Sequence, residues 1–246
     1  SKTFEKYLGP RSTESSRIAR SLEIDLGASP HSIMEHADRN LSQTESVVLE
    51  HLINNKKSTA SYETGKRNVL ILTSSLNAGG AERQAILTGS GLRNQGWKPT
   101  IGVDRIDAQH SGETLQNMVK SLDLNVIEFR DVNIESDDAD RLIELHAKLL
   151  SNLRPIERVR SECIVRMILK TRPCIIHAWQ DAMIYPAAIA NFIVGCNSLI
   201  GSVRSLNPDE KSLLYGRKRP YLRKSLQILC NADSFRLLNN SQAGRE

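Results

Sequence analysis

Residues 68–84 read NVLILTSSLNAGGAERQ, an apolar run of strand length that leads through a loop with two glycines into a helix-forming stretch. A short strand that is apolar throughout predicts burial on both faces, as in a parallel sheet. The paired glycines, Gly79 and Gly80, let the backbone approach a ligand closely and expose N–H groups at a helix N-terminus. This stretch therefore predicts the first strand–turn–helix unit of a doubly wound α/β fold.

Five more apolar runs of strand length follow, separated by helical stretches. The predicted strands are Thr100–Val103, Asn125–Phe129, Cys174–Ala178, Ser198–Val203 and Ser234–Leu238, after the first at Asn68–Ser74. The predicted helices are Ala81–Gln95, Glu113–Ser121, Asp137–Leu153, Ile156–Thr171, Ala182–Val194 and Glu210–Leu226. The alternation predicts a mainly parallel, Rossmann-like sheet. The glycine spacing fits neither G-x-G-x-x-G nor the P-loop.

The first 66 residues have a different pattern and predict a helical N-terminal extension followed by a polar linker. Ser32–Ile53 carries an apolar stripe at helical spacing, and Ser42 with Glu45 fits a capping box within it. We therefore place the α/β domain at residues 67–246.

The composition excludes several classes of protein. With 39% hydrophobic and 25% charged residues in 246, the chain is typical of a soluble globular protein. The polar first twenty residues do not resemble a signal peptide. The four cysteines lie among apolar neighbours, which favours reduced thiols and a cytoplasmic location. Aromatic residues, at 4%, are too few for a surface that stacks nucleic-acid bases, and no nucleic-acid partner is expected.

The positive charge is concentrated near the C-terminal end. Residues 203–246 hold nine Lys and Arg against four Asp and Glu, which accounts for the whole net charge of +5. The basic residues of one short segment predict peripheral contact with an anionic membrane at its inner face; they are Arg217, Lys218, Arg219, Arg223 and Lys224. A solvated basic helix is the plain alternative.

The candidate site residues follow the carboxyl ends of the predicted strands, where ligands of such sheets bind. The loop after the first strand contributes Asn77, Gly79, Gly80, Glu82 and Arg83. His177 and Trp179 end the fourth strand, and Arg204 follows the fifth, where its guanidinium suits a phosphate or carboxylate. Each has a structural alternative: a turn without a ligand, a hydrogen-bonded core histidine, or a salt bridge across the loop. Asp181 is predicted to cap the next helix.

Taken together, these residues resemble the N-terminal half of family 4 glycosyltransferases, which have the GT-B architecture. The resemblance rests on GGAERQ at residues 79–84, PCIIHAW at 173–179, GSVRS at 201–205 and LNNSQAG at 238–244. Many relatives carry a histidine at the position of Trp179. The similarity covers residues 67–246.

The resemblance implies a retaining, hexosyl-type transfer from a nucleotide-sugar donor to a glycan or lipid-linked acceptor in polysaccharide biosynthesis, with no cofactor. It assigns His177 to the cleft near the transferred sugar, as the catalytic candidate. The glycine loop would face the donor diphosphate and the acceptor, and Arg204 would add charge to the same cleft. The family's second, donor-binding domain would follow Glu246, so this chain alone is expected to be inactive. The alternative is a non-catalytic α/β module that binds an anionic ligand or a protein partner.

Overall fold

The computed structural model describes residues 45–54, 64–106, 114–132, 137–196, 198–203 and 220–239. Six strands form one sheet: β1 Asn68–Ser75, β2 Lys98–Arg105, β3 Asn125–Glu128, β4 Ile175–Trp179, β5 Leu199–Val203 and β6 Phe235–Asn239. Every neighbouring pair is parallel, in the order β3-β2-β1-β4-β5-β6. The doubly wound α/β class is therefore confirmed.

Eight α-helices accompany the strands among the described residues. They are α1 at 45–54, α2 Gly80–Asn94, α3 Gln116–Ser121, α4 Asp137–Leu145, α5 Ala147–Leu150, α6 Pro155–Thr171, α7 Asp181–Val194 and α8 Pro220–Cys230. A 3₁₀ turn, Phe129–Asp131, follows β3. None of the helices within these ranges combines the length and the apolar character needed to cross a membrane.

Two predicted helices differ from the structure. The single helix predicted at Asp137–Leu153 is divided at His146 into α4 and α5, and the His146 ring lies 2.9 Å from the Leu142 carbonyl. The helix predicted at Glu210–Leu226 corresponds to α8, Pro220–Cys230, which continues past the predicted end at Leu226. Residues 210–219 of that prediction lie outside the described ranges.

The sheet is covered on both faces, which explains its continuous apolar strands. One face carries Ile71 and Ile101, which pack with Ala85 and Ile86 of α2. The other face packs against α6 and α7, and α7 is buried at nearly every position. Alternate residues of β1, β3 and β4 thus enter two different apolar clusters.

Helix α1 belongs to the core of this domain. Its side chains Val48, Leu49 and Leu52 are buried in the cluster formed with α6 and α7. The Tyr185 hydroxyl donates to the Glu45 carbonyl at 2.8 Å, and the Glu45 carboxylate pairs with Arg154. Ser42 lies outside the described residues. Part of the segment predicted as an extension therefore stabilises the α/β unit.

Candidate functional site

The sheet has a single topological switch point among its described strands, between β1 and β4. From β1 the chain moves to β2 and β3 on one side, whereas β4 leads to β5 and β6 on the other. Connections that leave in opposite directions open a crevice at the carboxyl ends of the two central strands. The loop after β1 and the residues after β4 both lie at this crevice.

The glycine turn after β1 is tightly folded upon itself. The Gly79 N–H donates to the Asn77 carbonyl at 2.7 Å, and the Gly79 carbonyl accepts from Arg83 N–H at 3.0 Å. Asn77 also bridges to Thr114 across the loop. Gly79 is the N-cap of α2, and no side chain hydrogen-bonds to the helix end as a cap.

The Glu82 carboxylate lies directly against this turn. A Cβ added to Gly79 would overlap Glu82 Oε2, so a larger residue there would require the carboxylate to move. Glu82 is buried in the first turn of α2. Its negative charge therefore complements the positive end of the helix dipole at the place where the glycine pair predicted a bound anion.

Gln180 joins the glycine turn to the end of β4, and sequence reasoning did not single it out. Its Nε2 donates to Glu82 Oε1 at 2.6 Å, and Ser74 Oγ donates to its Oε1 at 2.5 Å. Because a carboxylate can only accept, the amide must present its nitrogen to Glu82. Both ends of this side chain are thus bound across the switch point.

The backbone of Gln180 is also unusual. It has φ 70° and ψ 146°, a combination that is rare for any residue other than glycine. The Gln180 N–H donates to the Ser202 carbonyl at 3.0 Å, and its own carbonyl accepts from Met183 N–H at 3.0 Å. Gln180 is therefore the N-cap position of α7, and the prediction that Asp181 fills it was wrong.

His177 and Trp179 lie on β4, just before Gln180, and the Trp179 side chain is packed in the apolar cluster beneath α2. They lie on the same face of β4, with ring centroids 4.9 Å apart, and are only 8% and 5% exposed. His177 Nε2 is 2.8 Å from Ser202 Oγ on the neighbouring strand. The imidazole is thus hydrogen-bonded within the sheet to Ser202, the residue whose carbonyl also accepts from the Gln180 N–H.

The remaining candidate residues lie elsewhere or outside the described ranges. Asn77, Gly80 and Arg83 are exposed at the start of α2, and Arg204 is not among the described residues. Of the basic segment, Arg223 and Lys224 are exposed on α8, whereas residues 217–219 are outside the described ranges. The structure thus brings together the glycine turn, Glu82 and the end of β4, and leaves Arg204 unplaced.

Other ionisable groups in the domain have structural roles. Asp104, near the end of β2, pairs with Arg160 of α6 at 2.6 Å. Burial, with Asp104 nearby, raises the pKa of the Cys163 thiol to about 12, so it carries no thiolate at neutral pH. Within the described ranges, no three His, Cys, Asp or Glu side chains come together as a possible metal site.

Replacing Gly79 with Ala tests the contact with Glu82. The new methyl group would displace the carboxylate and break its hydrogen bond to Gln180, so we expect a loss of about 1–2 kcal/mol in the free energy of unfolding. Gly80→Ala is the matched control, because a Cβ there meets nothing within 4 Å. In the helix, alanine at residue 80 should be neutral or stabilise by up to about 1 kcal/mol. Urea denaturation followed by circular dichroism measures both.

A second measurement introduces Gly79→Ala into the Glu82→Ala variant. Without the carboxylate, the Gly79→Ala change should cost close to nothing, so the two substitutions should not be additive. Equal losses from Gly79→Ala in both backgrounds would show that the turn does not depend on this contact.

Fold and site together define a Rossmann-like α/β domain whose polar crevice lies at the β1–β4 switch point. Comparisons with protein-family models, with curated proteins and with solved structures find no match to this chain.

Proposed function

We propose that this chain is the acceptor-side domain of a retaining, hexosyl-type glycosyltransferase that uses a nucleotide-sugar donor. The acceptor in this proposal is a glycan or a lipid-linked saccharide of polysaccharide biosynthesis. One observation carries it: the glycine turn that opens α2 is hydrogen-bonded, through Glu82 and Gln180, to the end of β4 above His177 and Trp179. This contact joins the segment GGAERQ to the residue that directly follows PCIIHAW, which supports the proposal.

The chemistry of the crevice suits the sugar side of such a reaction. The groups joined there are a carboxylate, a primary amide and a hydroxyl, from Glu82, Gln180 and Ser74. These groups accept and donate hydrogen bonds to sugar hydroxyls. Stabilising a leaving diphosphate requires cations or backbone donors aimed at it, and in this proposal they come from the donor-binding side of the enzyme.

In this proposal His177 acts from β4. Its Nε2 is bound to Ser202 and its ring contacts Trp179, so it holds a fixed orientation. A ring held in this way can present one edge to the transferred sugar. A substitution of His177 would alter both the surface and the polarity at that point.

The test is nucleoside diphosphate release by the gene product that contains this chain. UDP-, GDP-, ADP- and dTDP-sugars are each assayed with and without saccharide acceptors, and the product anomer is read by NMR. We expect one nucleotide series to be turned over with retention, and His177→Ala to lower the rate about tenfold or more. His51→Ala, at an exposed position of α1, is the control.

Two outcomes would contradict the proposal. If the protein turns over none of the four nucleotide-sugar series but binds a saccharide or an anion, the result would favour the non-catalytic α/β module. Turnover with inversion would show that the retaining class is wrong.

The location proposed with this function is the inner face of a membrane, approached through residues 217–224. Arg223 and Lys224 are exposed at the start of α8, which supports this part. Each basic residue near an anionic surface contributes about 1 kcal/mol. The measurement is binding to phosphatidylserine vesicles, which we expect to weaken when Arg223 and Lys224 are both replaced by Glu. Binding that is unchanged by this double substitution would contradict the proposed membrane location.

A further inference from the structure

We propose that residues 21–26, in the N-terminal part of this chain, cover a part of the sheet that β5 and β6 leave open. The side chains of Ile200, Arg236 and Leu238 form this surface, which we call the open face. The inference goes beyond the proposed function and holds for any activity of the domain, because it gives a role to a segment that lies outside the described residues.

The open face arises because β5 and β6 are packed on one side in the described part of the chain. Leu199 and Phe235 point toward α7 and α8, the helices with the principal contacts to these two strands. Side chains alternate along a strand, so Ile200, Arg236 and Leu238 point to the opposite side. On that side α2 covers β1, β2 and β4. The cover of the sheet therefore ends before β5.

The open face offers a partner two apolar side chains and one positive charge. Ile200 and Leu238 belong to neither of the two apolar clusters, and Leu238 is 49% exposed. The Arg236 guanidinium donates to the Asp233 and Phe235 carbonyls at 3.0 and 2.8 Å, and within the described ranges it pairs with no carboxylate. Parallel sheets are normally covered on both faces. An apolar segment with an acidic group would complete the cover.

Residues 21–26 read SLEIDL and have this composition. Apolar and acidic residues alternate in the segment, as Leu22, Glu23, Ile24, Asp25 and Leu26. The apolar side chains suit Ile200 and Leu238, because contact removes apolar surface on both sides from water. Either carboxylate suits the guanidinium of Arg236 through charge-assisted hydrogen bonds.

The apolar stripe that begins at Ser32 is nearer to α1 in the sequence, but it does not reach the open face. Helix α1 packs with α6 and α7, so a helix layer and the sheet, together about 20 Å, separate it from that surface. The part of the stripe before α1 ends at Leu41, and residues 42–44 span only about 10 Å. The covering segment must therefore lie further toward the N-terminus.

The position of α1 allows residues 21–26 to reach the open face. Glu45 is bound by Arg154, just before α6, and by Tyr185, in the first half of α7. Because α7 starts directly after β4, Glu45 lies toward the carboxyl end of the sheet, where the open face ends at Leu238. Eighteen residues, 27–44, join the segment to Glu45 and span up to about 60 Å when extended. This length is enough to pass around the end of the sheet.

The experiment is amide hydrogen exchange on the 246-residue chain, read by mass spectrometry of peptides that contain residues 21–26. Two variants alter the open face, Leu238→Asp and Arg236→Glu. Leu87→Asp is the matched control, because Leu87 is a leucine of similar exposure, 51%, on α2. All three changes are at exposed positions, so we expect the variants to fold, and circular dichroism confirms this before exchange is measured.

We expect residues 21–26 of the wild type to exchange about 50-fold or more slowly than a free peptide of the same sequence. Leu238→Asp and Arg236→Glu should each speed this exchange about tenfold, whereas Leu87→Asp should leave it unchanged. Adding Glu23→Arg and Asp25→Arg to Arg236→Glu restores opposite charges across the contact and should recover most of the protection.

Exchange of residues 21–26 at the rate of the free peptide overturns the inference. Protection that both open-face variants leave unchanged also overturns it, because the segment would then be packed elsewhere. If β6 is protected only at high protein concentration while residues 21–26 are not, a second copy of the chain covers the open face and the inference is wrong. Either variant alone decides the outcome if the other does not fold.

Discussion

Replacing Arg154 with Ala is expected to lower the free energy of unfolding by about 3–5 kcal/mol. The Glu45 carboxylate is fully buried, and Arg154 binds it with Nε and Nη2, both at 2.8 Å. Removing the guanidinium leaves a buried charge without its partner, which is among the most destabilising changes that a single substitution makes. Urea denaturation at neutral pH, followed by circular dichroism, measures the loss.

Arg158→Ala is the matched control on the same helix. Arg158 pairs with Glu162 one turn along α6 at an exposed position. Such a pair contributes about 0.3–0.5 kcal/mol, so its loss should be barely measurable. If Arg154→Ala costs no more than Arg158→Ala, α1 does not dock on the domain in solution as the structure has it.

Replacing Gln180 with Glu is expected to cost about 2–4 kcal/mol at pH 7, because two carboxylates would then share one hydrogen-bonding position. The Gln180 Nε2–Glu82 Oε1 distance is 2.6 Å, which leaves no room for water between them. One carboxyl group must then take up a proton or the pair must separate. The loss should therefore shrink as the pH falls below about 5.

The exchanged pair provides the control for this prediction. Glu82→Gln alone keeps a hydrogen bond between the side chains and should change stability by less than about 1 kcal/mol. Combining Gln180→Glu with Glu82→Gln restores one carboxylate and one amide, and should recover most of the loss. A Gln180→Glu variant as stable as the wild type, or one not rescued by the exchange, would contradict the proposed hydrogen bond.

The two central strands were predictable from the sequence because each lies in the interior of a parallel sheet. NVLILTS at 68–74 and CIIHA at 174–178 are apolar at nearly every position, and both become central strands with observed bounds within one residue of the prediction. The local sequence pattern was enough to predict these two strands, since a strand buried on both faces must be apolar at nearly every position. The division of α4 from α5 at His146 had no local signal of this kind.

The site was predictable in position but not in its connections. Glu82 was a candidate because it follows the glycine pair, yet its partner Gln180 is 98 residues away. Neither the positive φ of Gln180 nor the burial of Glu82 against Gly79 can be read from propensity, because both depend on tertiary packing. In the same way, the ion pair of Glu45 with Arg154, 109 residues away, has no signal in the local sequence.

The central claim is that the crevice at the β1–β4 switch point binds the saccharide side of a sugar transfer, and amide-resolved NMR of the 246-residue chain tests it most directly. The labelled protein is titrated in turn with the methyl glycosides of glucose, N-acetylglucosamine and mannose. The account predicts that shift changes from at least one of them cluster at Gly79, Gly80, Glu82 and Gln180, and at the indole N–H of Trp179. Changes confined to other surfaces, such as the exposed start of α8 at Arg223 and Lys224, or no changes with any of the three, would contradict it.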